Sequence, residues 1–289
     1  MGKSMKTGKA LFFAVMALFI FSCASKVEEP AEDLLSRART EYENGRYNNA
    51  RILLDSIKIV SPKAYKTLRE AEKLRRDAMI RENERNVTFF EDELQSLIAV
   101  RDSLAAGFDF NLDKRYQSKG YYTAPSQSIS QNPFNNFLRA CVYEDGAMYL
   151  TSFYRGKSIR HKSVKLSAGD TYVQCDKPFL ERNYKDLGVN NERRDYKYGE
   201  DAGLVDFVLM AEGAIEVEIS GSKGKVNYTL RPADVAAIRK VFELSQAINA
   251  VKNVEDMLGE ARYKLNFLKK SEARSSAVVE DTVPAVGEV

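Results

Sequence analysis

The chain has 289 residues, with 44 basic and 41 acidic side chains, one histidine, three cysteines, fifteen tyrosines, fifteen phenylalanines and no tryptophan. That length suits one large domain or two small ones. Balanced charge gives no electrostatic case for a nucleic-acid partner, and one histidine with three cysteines argues against a zinc site, so no metal or cofactor is expected.

Residues 1–22 read as a signal peptide. Lys3, Lys6 and Lys9 form a basic start, and an apolar run follows from Ala10 to Phe21, too short to span a bilayer comfortably. Ile20-Phe21-Ser22-Cys23 then sets a small residue directly before a cysteine. This stretch resembles the lipobox of bacterial lipoproteins, although Phe21 stands where that family usually has a small residue. The resemblance covers the first 23 residues. It implies cleavage before Cys23, diacylation of the Cys23 sulfur and acylation of the new amine. Ala24 occupies the position where inner-membrane members carry aspartate, which implies an outer-membrane lipoprotein, periplasmic or surface-facing. Removing residues 1–22 takes three of the 44 basic residues and none of the acids, which leaves 41 of each.

With Cys23 lipidated, Cys141 and Cys175 remain in an oxidising envelope. They are a candidate disulfide, closing a loop of roughly 35 residues for about 3–4 kcal/mol in the chain-entropy picture. The equal alternative is a pair of buried thiols that pack as small hydrophobes.

Residues 23–30 make a lipidated polar tether, and residues 31–107 a helical region. Leu34, Leu35, Ala38 and Tyr42 recur at helical spacing, Gly45 breaks the chain, and Tyr47, Ala50, Leu54 and Ile57 resume it up to Pro62. The set Ala38, Gly45, Tyr47, Ala50, Leu54 and Pro62 resembles a single tetratricopeptide repeat, a packing device rather than the stacked array that binds peptides. Lys63 to Gly107 reads as one long helix with a coiled-coil seam at Val87, Phe90, Leu94, Leu97 and Leu104. Its charged middle, Arg75 to Asn86, is read as a solvated face. Asp109, Asn111 and Asp113 mimic the start of a calcium loop, but Lys114 and Gly120 replace the required glycine and glutamate.

Residues 108–136 are expected to be a connector, and residues 137–231 an antiparallel β domain. Phe137–Tyr143 and Ala147–Tyr154 flank Asp145-Gly146, a strong hairpin signal. Further strands are expected near Ile159–Leu166, Thr171–Cys175, Leu204–Ala211, Ile215–Ile219 and Val226–Leu230, with a long charged loop over 177–203. Residues 232–270 form a second long helix with a broad apolar stripe, and residues 271–289 a disordered tail. The predicted fold is α+β. Two long helices pair antiparallel as a stalk, and a β-sandwich or open barrel of about seven strands is inserted between them.

Little here asks for catalysis. His161, between Arg160 and Lys162, reads as a surface side chain, and no Gly-x-Ser-x-Gly or phosphate loop is present. Glu216 and Glu218 share a strand face about 7 Å apart, a spacing glycosidases use, but their alternation with Ile215, Val217 and Ile219 marks a wet sheet face. The tyrosines are the more informative excess. Tyr121, Tyr122, Tyr143, Tyr149 and Tyr154 are the candidate binding patch, against the alternative of half-buried core rings bordering the sheet. The sequence therefore describes a lipid-anchored, non-catalytic binding or scaffolding module with an envelope protein or glycan as partner. The alternatives are a small-ligand or glycan-binding β domain, and an envelope hydrolase with carboxylates from 177–203.

Overall fold

A computed structural model describes residues 28–128, 132, 136–186 and 188–280. The signal peptide, Cys23 and the last nine residues lie outside the described residues. The fold is mixed α+β, with five helices and two antiparallel sheets among the described residues, neither sheet closed. The chain divides into two units, one of residues 1–91 with 256–289, the other of residues 92–255.

In the first unit, helix α1 (28–43) and helix α2 (Tyr47–Val60) form the expected hairpin. Gly45 makes the turn at φ 71°, a left-handed conformation that costs glycine no Cβ clash. Leu35, Ala38, Leu54 and Ile57 close a small core with Ala64 and Ala71, the latter from the first half of helix α3 (Tyr65–Ala105). The charged middle of α3 is more than a solvated face. Arg75 pairs with Asp55, Glu82 with Arg51, and Arg85 donates to the Gly45 carbonyl. Arg262 and Lys269, from the end of helix α5 (Pro232–Glu280), pair with Glu91 and Glu84 of α3. Helix α5 runs ten residues past the expected end at Lys270. No described helix is long and apolar enough to cross a membrane.

Among its described residues the second unit holds ten strands where about seven were expected. Strands β1 (Asp109–Asn111), β2 (Tyr121–Thr123), β3 (Phe137–Tyr143), β4 (Met148–Gly156), β7 (Leu180–Asp186) and β8 (Val189–Lys197) form one sheet, ordered β1-β2-β3-β4-β8-β7. Strands β5 (His161–Ala168), β6 (Thr171–Cys175), β9 (Glu216–Gly221) and β10 (Gly224–Thr229) form the other, ordered β10-β9-β5-β6. One apolar core draws on both sheets, on helix α4 (Leu204–Met210), and on Ile238, Val241, Leu244 and Ile248 of α5.

Three expectations are corrected here. The connector is no bare linker, because β1 and β2 extend the sheet. Beyond β2 the Gln127 side chain continues the ladder, accepting from Ala140 N–H and donating to Leu138 C=O. The charged loop 177–203 is the β7–β8 hairpin. Its apolar alternation is missing because β7 is exposed along its whole length and β8 carries Glu192 and Arg194 on its core side. Leu204–Ala211 is helical over Leu204–Met210, not a strand. Asp201 explains the change, since its carboxylate accepts the N–H groups of Gly203 and Val205 and starts the helix. An apolar run of this length is compatible with either structure on periodicity alone.

The Asp145-Gly146 hairpin forms as expected and docks on α5. Ser245 and Asn249 both donate to the Gly146 carbonyl, and a Cβ at Gly146 would strike the Asn249 amide at 2.4 Å. Cys141 and Cys175 are free buried thiols, which corrects the candidate disulfide. Cys175 belongs to the apolar core, whereas Cys141 lies on the face of β3 turned away from it, so the six-stranded sheet separates them. Burial raises the Cys141 thiol to about 11, which leaves it unreactive.

Candidate functional site

Strand parity sorts the predicted tyrosines onto two faces. Leu138, Ala140 and Val142 of β3, with Met148, Leu150 and Tyr154 of β4, point into the core. Tyr154 is only 6% exposed and donates its hydroxyl to the Lys157 carbonyl, and Tyr122 packs with Phe110 against the same core. Those two residues leave the patch. Tyr121, Tyr143 and Tyr149 fall on the outer face and meet in a row. Tyr121 and Tyr143 are directly opposed, with ring centroids 5.5 Å apart, and Tyr143 meets Tyr149 edge-on at 5.4 Å. Phe179 extends the row 5.5 Å from Tyr149 and is mostly exposed. Sequence reasoning missed Phe179 because it was placed in a loop.

Beside this row lies a hollow of about 370 Å³ lined by Tyr116, Gln117, Lys119, Tyr143, Asp145 and Tyr149 among others. Tyr116 is 83% exposed at its rim. Lys119 and Asp145 form an ion pair at 2.6 Å across it, with Asp145 held below the usual carboxylate range by that bond. Exposed aromatic area next to a few oriented polar groups is the composition of a binding surface rather than of a reaction centre.

Along the strands the outer face becomes charged. Arg139 of β3, Thr151 of β4 and Asp195 of β8 occupy one cross-strand row, and Phe137, Phe153 and Arg193 the next. Asp195 accepts from Thr151 at 2.6 Å and from Arg193 at 2.9 and 3.2 Å. Arg139 is 5% exposed, yet it pairs with no carboxylate among the described residues, and its Nε is enclosed without a hydrogen-bond partner. Burial pushes its pKa down, and the Arg193 charge adds to that push. Asp195 offsets this only in part, and the guanidinium also lies over the Phe153 ring, whose centroid is 4.8 Å from its central carbon and 5.2 Å from that of Arg193. Desolvating a guanidinium costs several kcal/mol, and a desolvated cation–π contact returns about 2 kcal/mol. The balance leaves Arg139 unsatisfied.

A second polar region, a cleft of about 700 Å³, gathers Ser158, Arg160, His161, Glu181, Glu192 and Arg194 among others. His161 is 1% exposed, which corrects its reading as a surface side chain: Lys162 faces solvent while His161 turns in. Glu192 accepts from the Ser158 hydroxyl and from the Arg160 and His161 N–H groups, and Arg194 donates to the His161 carbonyl. Two β8 side chains thus grip the backbone of one β5 residue, His161, from both sides and tie the two sheets together. Neither ring nitrogen of His161 has a hydrogen-bond partner among the described residues. Ser158 bonds Glu192 directly, so no serine–histidine relay is assembled.

Of the acids in the 177–203 segment, Glu181 and Glu192 share this cleft beside Arg194, and the others disperse. Asp186 pairs with Arg155, Glu200 with Lys197, Asp201 starts α4, and Glu192 and Asp195 sit on opposite faces of β8. Among the described residues no group of three or more metal-binding side chains comes together. Glu216 and Glu218 lie on the side of β9 opposite buried Val217 and Ile219, each engaged with β10.

No known protein family, curated protein or solved structure matches this chain. The site must therefore be argued from its own side chains, and the outer face of the six-stranded sheet offers the most.

Proposed function

We propose that this protein is a lipid-anchored component of the bacterial cell envelope, attached through Cys23 to the outer membrane, and that it works without catalysis as a binding module. The lipobox-like stretch before Cys23 supports the anchor. The observation that carries the binding reading is the row Tyr121–Tyr143–Tyr149–Phe179, contiguous on one sheet face beside the exposed Tyr116. Its occupant is an envelope protein or glycan. The two long helices pair antiparallel as a stalk. Support comes from the cross-pairs Arg262–Glu91 and Lys269–Glu84, whose numbers run in opposite directions along the two helices.

The anchor is tested by Cys23→Ala, which should leave the protein in the soluble fraction or as an unprocessed precursor, because multiple acyl chains supply stable attachment. Normal processing with full membrane retention would remove the lipoprotein reading. The surface is tested with the full chain carrying Tyr121→Ala, Tyr143→Ala and Tyr149→Ala together. Crosslinking in cells and binding to envelope glycan fractions should fall at least about 30-fold, the loss of one hot spot of about 2 kcal/mol. Undiminished capture by a folded triple variant rules the row out.

A further inference from the structure

We propose that the outer face of the six-stranded sheet binds an oxyanion, a carboxylate or phosphate group, between Arg139 and Arg193, and that the ligand of the aromatic row carries it. This rests on the reading of that face as the binding surface. The two guanidinium groups come from β3 and β8 and share the Phe153 ring between them. Asp195, the one carboxylate in the cluster, is engaged by Arg193 and Thr151 and makes no hydrogen bond to Arg139. Arg182 stands directly opposite Arg193 on β7, so three guanidinium groups face one carboxylate on this stretch of sheet. A guanidinium whose Nε is enclosed without a partner, and which pairs with no carboxylate among the described residues, presents a planar fork of donors, the shape that receives an oxyanion through two parallel bonds.

The position relative to the aromatic row decides who brings the anion. Tyr149 is paired with Cys141, and Arg139 is two residues along the same strand, one step of about 7 Å on that face. One ligand can therefore lay an apolar portion on Tyr149 and Tyr143 while its charged group reaches Arg139. A neutral partner could accept hydrogen bonds from Arg139 but would leave its charge uncompensated, whereas an oxyanion supplies both.

The test titrates the purified full chain in detergent with sodium acetate, glucuronate or phosphate against chloride, at fixed pH and ionic strength. The expected result is a Tm rise of about 3–6 °C for each tenfold of anion above its Kd. A response to acetate and glucuronate alone assigns a carboxylate, and a response to phosphate alone assigns a phosphate. Arg139→Met should raise the anion-free Tm, since it removes an unpaired buried charge, and should abolish the response. If that variant does not fold, Arg139→Lys keeps the charge without the fork and should bind at least tenfold more weakly. No response in the wild-type chain, or an undiminished one in either variant, overturns the oxyanion site. Absent anion binding with intact tyrosine-dependent capture rejects this inference alone, whereas loss of the capture result rejects the surface itself.

Discussion

Replacing Glu192 by alanine is expected to lower the unfolding free energy by about 3–5 kcal/mol, among the largest losses open to a polar side chain here. Glu192 is 3% exposed, and its two oxygens accept from Ser158, Arg160 and His161. Burial opposes its ionisation, but those donors and the Arg194 charge outweigh the penalty and hold its pKa below the usual value. Truncation strands three donors at once. It also removes a negative charge near Arg194, whose ion-pair partner Glu181 lies at 3.4 Å and is half exposed. Arg160 sits at φ 55°, a conformation uncommon for a side chain with a Cβ, so the two N–H groups are aimed at some backbone cost. Glu192→Gln keeps the shape and one acceptor oxygen and should lose about 1–3 kcal/mol. Urea denaturation followed by near-ultraviolet circular dichroism measures both. A loss below about 1 kcal/mol for the alanine variant would mean that the grip of β8 on β5 contributes little to joining the sheets.

Much of the fold was legible because local pattern and tertiary need agree. Leu35, Ala38, Leu54 and Ile57 repeat at helical spacing, and they are among the residues that close the first unit's core. Asp145-Gly146 announced its hairpin, and β3 forms over the expected residues. Apart from α4, where an apolar run suited either structure, the misread segments share a cause, which is that polar side chains took positions that pattern assigns to apolar ones. Strand β8 presents Glu192 and Arg194 inward beside Tyr196, so its alternation is not hydrophobic at all. His161 turns inward between two outward cations, which composition alone reads as a solvated run. Part of the sorting of the tyrosines was legible. Once the Asp145-Gly146 hairpin fixes the register of β3 and β4, Tyr143 and Tyr149 share a face and Tyr154 falls on the other, whereas the faces of Tyr121 and Tyr122 follow from the β2–β3 pairing that the connector concealed. Arg139 gave no signal, because nothing in a heptapeptide such as FLRACVY distinguishes a buried arginine from an edge one.

Acidification from pH 7 to pH 4 should cost this protein about 3 kcal/mol through His161 alone. Burial lowers its pKa from 6.5 to about 4, the nearby Arg194 cation adds to the shift, and Glu192 opposes it only in part. The neutral ring is the form that the native state accommodates, whereas the unfolded chain takes up a proton near pH 6.5. Protonation therefore favours unfolding: the stability is complete above about pH 7, declines as pH falls from 6.5 to 4, and levels below 4. The drop from 6.5 to about 4, at about 1.4 kcal/mol per pH unit, sets the total. Glu192 acts in the same direction but lower down, since its depressed pKa brings its loss in below about 4.5. The two are separated by His161→Leu, which leaves the Glu192 bonds to backbone in place and removes the titrating ring. The wild-type and variant stabilities should differ by a constant amount above pH 7, and the difference should move by about 3 kcal/mol in favour of the variant by pH 4. The variant should also match or exceed the wild type at neutral pH, because leucine buries no unpaired ring nitrogen. Parallel pH profiles would show that the imidazole titrates at its ordinary value, with solvent reaching a ring that the fold encloses.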